Sequence, residues 1–344
     1  MIIDVHGHYT TAPRGLQAFR QKQIADFDQV IEGGPEISDD EIRQTIGDGQ
    51  LTLQRDRGTD VALFSPTAGG MQHHVGPPRV SLQWTQTVNN LVKRVCDLFP
   101  ESFVPVCQLP QSPGVAPSNC IEELERCVHE MGFVACNLNP DPSDGYWTDP
   151  PIIDKWWYPL YEKMVELEVP AMIHVSSSCN PNFHGTGAHY LNGDTTAFMQ
   201  FIQSETLFKD FPTLRFVIPH GGGAVPYHWA RYRGIALNMG RPELTDFLFD
   251  NVYFDTCIYN ASGMEYLVRT VGPDNVLFAS EMIGAVRGLD PEHGFYFDDT
   301  KRYIDAIEWL KDEDKRKVFE GNAFKVYPRL AKAIERQRGA AATA

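Results

Sequence analysis

The sequence predicts an α/β protein folded as a (β/α)8 TIM barrel, and three observations carry that expectation. Eight short apolar segments rich in β-branched residues recur along the 344 residues, amphipathic stretches of helical period separate them, and the composition never changes regime. Strands alternating with helices argue for βαβ units and a parallel sheet, and eight such units argue for a closed barrel.

The predicted strands are 2–5, 61–65, 103–109, 134–138, 171–175, 215–219, 252–255 and 276–279. The predicted helices are 39–57, 82–98, 120–131, 153–167, 195–209, 226–238 and 264–271, with 300–310 and 312–333 after the last strand. No linker, repeat or low-complexity tract divides them, so 1–335 reads as a single barrel domain with long βα loops and C-terminal helices. The Ala-rich end, 336–344, reads as a disordered tail.

Composition narrows the partners. The 45 acidic residues against 30 basic ones give a formal net charge of -15, which makes nucleic acid and anionic membranes poor partners. No run of 18 apolar residues exists to form a transmembrane helix, and residues 1–5 lack the basic start of a signal peptide. Seven cysteines, an odd number without CxxC spacing, read as reduced thiols in a cytoplasmic protein.

In such a barrel the chemistry sits where strands end. Strand one ends in His6 and His8, which share a face because alternate side chains of a strand do. Strand five ends at His174, strand six at His220 and strand eight at Glu281; Ser65, Asn137, Asn139, Asp255 and Thr256 close strands two, four and seven. A buried ionisable group is costly without a partner. Histidines from three separate strand ends with one carboxylate therefore suggest a metal cage. His220 precedes three glycines, as in the oxyanion loop of lipases, but no Gly-x-Ser-x-Gly elbow occurs in the chain.

These residues carry a resemblance. His6-x-His8, Ile173-His174 and the run Pro219-His220-Gly221-Gly222-Gly223 resemble the amidohydrolase superfamily, in its aminocarboxymuconate-semialdehyde and resorcylate decarboxylase branch. The resemblance spans Met1 to about Leu330. It implies one divalent ion per subunit held by His6, His8, His174 and the strand-eight carboxylate, with His220 handling protons. Zinc suits imidazole plus carboxylate best, and Mn2+ or Fe2+ also fits. Decarboxylases of this branch usually carry aspartate after strand eight, where this chain has Ser280-Glu281-Met282-Ile283-Gly284. Glu281 is then a ligand, a general base or both; a plain salt-bridge partner is the bland alternative.

The Glu281 run, the opening Val5-His6-Gly7-His8-Tyr9, the turn Leu109-Pro110-Gln111-Ser112 and the run Asn137-Leu138-Asn139-Pro140 resemble hydratase members that act in aromatic-acid catabolism. That resemblance implies hydration of a conjugated C=C in a small keto tricarboxylate. Non-oxidative decarboxylation of an aromatic or muconate-type acid is the alternative. A polyanion held by a protein of net charge -15 needs local cations, and arginine gives bidentate carboxylate contacts. Arg287, six residues beyond Glu281, is the first candidate, with Arg231 and Arg233 after His220. Both of the latter read more readily as surface ion-pair partners. In the decarboxylase relatives an arginine there reaches a neighbouring subunit, which implies a homodimer or higher homo-oligomer. Tyr190 and Asn192, placed on a long loop after His174, and His73 and His74 after strand two are further candidates; His184 and His189 share the Tyr190 loop as rivals.

Overall fold

The computed structural model describes residues 1–29, 31–182 and 186–341. Its eight strands are β1 (Ile3–His8), β2 (Val61–Ser65), β3 (Phe103–Gln108), β4 (Ala135–Leu138), β5 (Ala171–Ile173), β6 (Phe216–Ile218), β7 (Val252–Asp255) and β8 (Val276–Leu277). They pair in sequence order, each parallel to the next. The seam between the ends closes through backbone bonds: Val5 N–H donates to the Phe278 carbonyl at 3.0 Å, and Glu281 N–H to the His6 carbonyl at 3.0 Å. The result is the expected (β/α)8 barrel.

Every strand residue is buried, as a parallel sheet covered on both faces requires. Alternation then sorts side chains into two layers. Val61, Leu63, Val104, Val106, Val217 and Tyr253 fill the interior, while Phe64, Phe103, Phe216, Ile218 and Phe254 face the surrounding helices. Val326, Tyr327, Leu330 and Ile334 join the interior cluster from the C-terminal segment.

β1 breaks this alternation to useful effect. Ile3 and Val5 belong to the interior cluster, but the pairing of β1 with β2 shifts register between Asp4 and Gly7. A bulge restarts the phase of a strand. Gly7 consequently lies against Ala62 and Phe64 of the outer layer, where a Cβ would sit 2.8 Å from the Leu63 carbonyl oxygen. His6 and His8 on either side of it turn to the barrel axis together.

The structure revises three local expectations. A helix over Arg14–Ala25, opened by Pro13, occupies what read as part of the first loop. The helix after β5 runs Thr186–Gln203 and carries Tyr190 and Asn192, which were expected on a loop. Gly187, Asn192 and Gly193 disguise it, since glycine and asparagine have poor helix propensity. At Gly193 the absent Cβ is functional, because one would lie 2.7 Å from Val175 Cγ1. Finally, the last helix extends over Leu330–Ala341 into the segment that reads as a tail, whose residues 342–344 lie outside the described residues. Alanine favours helix, Ala333 and Ile334 are buried, and Gln337 donates to the Phe103 carbonyl at 3.0 Å. His184 lies outside the described residues.

Candidate active site

The C-terminal ends of β1, β5 and β6, with the segment after β8, bring His6, His8, His174, His220 and Glu281 to one point on the barrel axis. Nε2 of His6 is 3.0 Å from Nε2 of His8, which is 3.2 Å from Nε2 of His174. The His220 ring centroid lies 5.3 Å from that of His174, edge-on, and 5.4 Å from that of His6, tilted. Its Nε2 is 3.7 Å from Glu281 Oε2. One ligand atom from each of His6, His174, His220 and Glu281 falls within 4.8 Å of the others.

The far side of each ring is tied down. His6 Nδ1 donates to Asp255 Oδ2 at 2.7 Å, His174 Nδ1 to the Val175 carbonyl at 2.9 Å, and His220 Nδ1 to Asp194 Oδ2 at 2.9 Å. His8 Nδ1 meets the Ser65 hydroxyl at 2.7 Å, and that hydroxyl also takes the Asn137 amide at 3.1 Å. Proton donation from Nδ1 leaves Nε2 as a lone pair. Three such lone pairs therefore face each other with no proton to share, a repulsive arrangement that a cation relieves. Tetrahedral zinc with Zn–N bonds of 2.0–2.1 Å would set nitrogens roughly 3.3 Å apart, close to the separations seen. The donor set fits a divalent ion held by His6, His8 and His174, with Glu281 within reach as the carboxylate.

Electrostatics divide the imidazoles into two kinds. Burial, then the neighbouring imidazoles, hold His8 and His174 well below the usual histidine pKa, so both stay neutral as ligands must. Burial also works to lower His220, but the carboxylates of Asp194, Glu281 and Asp255 outweigh it and raise the pKa to about 9. Asp194 is itself pushed up to about 6 by burial, against the pull of His220. The two therefore form an ion pair at neutral pH, with Nε2–H of a cationic His220 aimed at Glu281.

Backbone geometry fixes both of these residues. His220 has φ 51° and Glu281 φ 49°, the left-handed region that costs non-glycine residues about 1–2 kcal/mol. Following glycines make the turns possible. A Cβ at Gly222 (φ 81°) would stand 2.6 Å from Phe254 Cδ1, and one at Gly284 would stand 2.8 Å from Glu281 Cγ. The Tyr259 hydroxyl donates to Glu281 Oε2 at 3.1 Å.

The outer candidates scatter. Tyr190 stacks on His220, with centroids 5.8 Å apart and planes 21° from parallel. Asn192, on the same helix, is exposed, whereas His189 is buried. His74 pairs with Asp144 at 2.9 Å, and His73 is buried 3.5 Å from the Ser81 hydroxyl. Arg287 is exposed and donates to the Thr10 carbonyl at 3.3 Å. Arg231 and Arg233 lie exposed on the helix Trp229–Asn238, and Arg233 grips Glu243 with two bonds of 2.5 Å. The structure does not bring those two to the cluster of their own chain. Asp194 and Tyr259, which sequence reasoning missed, are part of it. Asn192-Gly193-Asp194 reads as a turn, and only the fold reveals Asp194 under His220.

Comparison with known proteins gives the family. A family model described as amidohydrolase matches residues 3–329. The chain is 57% identical over 332 residues to a 2-keto-4-carboxy-3-hexenedioate hydratase of Sphingobium sp. (strain NBRC 103272 / SYK-6), covering 96% of this chain and 97% of that one. The crystal structure of 4-oxalomesaconate hydratase LigJ from Rhodopseudomonas palustris superposes with a TM-score of 0.91 at 55% identity, covering 98% of this chain and 99% of that one. A gamma-resorcylate decarboxylase of Rhizobium sp. (strain MTP-10005) is more distant, 24% identical over 69% of this chain and 76% of its own. By the reach of that family model and the near-complete overlap with two relatives more than half identical, the chain belongs to the amidohydrolase family.

Proposed function

We propose that this chain is a metal-dependent hydratase that adds water across the conjugated double bond of 4-oxalomesaconate. The product is 4-carboxy-4-hydroxy-2-oxoadipate, formed in protocatechuate and gallate catabolism. One observation carries the reading above the decarboxylase alternative: the two relatives more than half identical over nearly their whole length are hydratases, while the decarboxylase is 24% identical. A 2-keto-4-carboxy-3-hexenedioate has its double bond between C3 and C4, in conjugation with the C2 ketone. Water must therefore deliver hydroxyl to C4 and a proton to C3.

The residues divide that work. His6, His8 and His174 hold a divalent ion, with zinc the best match to three imidazoles and a carboxylate. Bound there, the ion supplies Lewis acidity, which makes water nucleophilic near neutral pH. Glu281, with its carboxylate fixed by Tyr259, takes the proton from the attacking water. His220, kept cationic by Asp194, gives the proton to C3 or to the enolate oxygen. Asp255, Ser65 and the Val175 carbonyl keep the three ligand rings in the tautomer that presents Nε2. Arg287 and Tyr190 receive substrate carboxylates. His74, Asn192, Arg231 and Arg233 are secondary candidates, the arginines by reaching a partner subunit of a homo-oligomer.

The described helices include none long and apolar enough to cross a membrane. We place the protein in the cytoplasm, where its seven free thiols, six of them buried, would stay reduced. The test is to incubate the zinc-loaded protein with 4-oxalomesaconate, following ultraviolet loss of the conjugated chromophore together with CO2. Chromophore loss without CO2 supports hydration. Stoichiometric CO2 would show a decarboxylase.

A further inference from the structure

Beside the barrel mouth lies a cavity of about 680 Å³ whose lining contains three arginines, Arg14, Arg20 and Arg287, and no aspartate or glutamate. In a chain of net charge -15 that is an unusual concentration of one sign. None of the three guanidinium groups forms an ion pair among the described residues. Arg14 is exposed at the start of the helix Arg14–Ala25, and among the described residues Arg287 bonds the Thr10 carbonyl. Arg20 is 7% exposed. It donates to Gln23 and to the Met71 and Gln72 carbonyls and lies 4.9 Å above the Trp84 ring, but its Nε has no partner among the described residues. A buried cation without a counter-charge costs several kcal/mol, which an anion in the cavity would offset.

None of His6, His8, His174, His220 and Glu281 lines this cavity. In the turn after β2, Ser177 donates to the Gly69 carbonyl beside Tyr190, while Gly70, Met71 and Gln72 line the cavity. The lining also contains the apolar side chains of Leu16, Trp84, Val88 and Leu91. Arginines set among apolar side chains suit an organic anion with two or more carboxylates better than an inorganic one.

We propose that this cavity is a polycarboxylate-binding site whose lining, apart from Arg287, holds no residue assigned to the active site, with Arg14 and Arg20 as its cationic side. The anion is either substrate captured on its way to the metal cluster, a role that rests on the hydratase reading, or a separate di- or tricarboxylate effector.

The test is calorimetric titration of propane-1,2,3-tricarboxylate into the zinc-loaded protein, into Arg14→Gln and into Arg14→Glu, at constant ionic strength. Arg14 is exposed and holds no backbone, so both variants should fold. Binding should weaken about tenfold in Arg14→Gln, the loss of one charge-assisted contact, and vanish in Arg14→Glu. Equal affinity in all three proteins would overturn the site, as would inorganic phosphate binding as tightly as the tricarboxylate. Kinetics then separate the two sources. Capture of substrate makes Arg14→Gln raise KM with kcat retained. An effector changes the turnover of the unaltered protein but not that of Arg14→Gln. Tricarboxylate binding without any hydration would sink the hydratase reading and leave the cavity site standing.

Discussion

Asp194 Oδ2 lies 2.9 Å from Nδ1 of His220, a buried carboxylate against a largely buried ring beside the metal-competent imidazoles. The pair joins the helix Thr186–Gln203 to the turn after β6, elements that pack closely because Gly223 leaves no Cβ; one there would sit 2.4 Å from the Leu191 carbonyl. Its consequence is electrostatic. Asp194 is the foremost of the groups that raise His220 to about 9, against a burial effect that alone would lower it.

Asp194→Asn should therefore lower kcat by about 10- to 100-fold, the order expected when an acid loses its tuned pKa. The sign of the pH effect follows from the role. An acid works below its pKa, so activity is lost as pH rises through the His220 value. Removing the carboxylate lowers that value, and the alkaline limb of kcat should move to lower pH. A lower kcat with an unmoved alkaline limb would show that Asp194 merely holds the loop.

Asp255 Oδ2 takes the Nδ1 proton of His6 at 2.7 Å, while Oδ1 accepts the Gly221 and Cys257 backbone N–H groups at 3.2 and 3.0 Å. Such outer partners fix ring orientation and ligand basicity, and losing one typically costs 10–100-fold in metal affinity. Asp255→Asn should weaken zinc by that factor in chelator competition, and His174→Ala should abolish stoichiometric binding. Zinc at about 100 times its Kd should stabilise the unaltered protein by about 2.7 kcal/mol, read as a rise in Tm that His174→Ala lacks. Equal zinc content and equal Tm response in all three proteins would remove the metal from this site.

The eight strands were legible because a sheet buried on both faces needs continuous apolar runs, and residues 61–65 and 252–255 match β2 and β7 to the residue. The strand-end histidines were legible because few other buried settings place imidazoles there. The helices Arg14–Ala25 and Thr186–Gln203 were less so: the first has a weak apolar stripe and no side-chain cap, and the second opens among glycine and asparagine. Tertiary packing, such as Gly193 against Val175, overrides that local signal. Asp194 and Tyr259 had no sequence signal, because their roles exist only through contacts 26 and 22 positions along the chain. Arg233 shows the converse: its position after His220 suggested substrate contact, yet within the chain it pairs with Glu243.

Arg287 is exposed, without a carboxylate partner among the described residues, and six residues past Glu281. If it clamps a substrate carboxylate equally in ground and transition states, Arg287→Ala should raise KM by about tenfold or more and leave kcat nearly unchanged. Steady-state kinetics at two ionic strengths check this, since the exposed charge should matter less at high salt. An unchanged KM removes the clamp.

Glu281 is the residue on which ligand and base roles compete. Its Oε2 accepts from Tyr259 at 3.1 Å and stands 3.7 Å from His220 Nε2, and its left-handed backbone is bonded to the His6 carbonyl. A neutral amide of the same shape keeps the packing and the Tyr259 contact but cannot take a proton. Glu281→Gln should therefore retain one zinc per chain while kcat falls about 10^2- to 10^4-fold, the usual contribution of a positioned base. Zinc lost along with activity would instead make Glu281 an essential ligand. Full activity would exclude it from proton transfer and leave His220 as the acid–base group of the cluster.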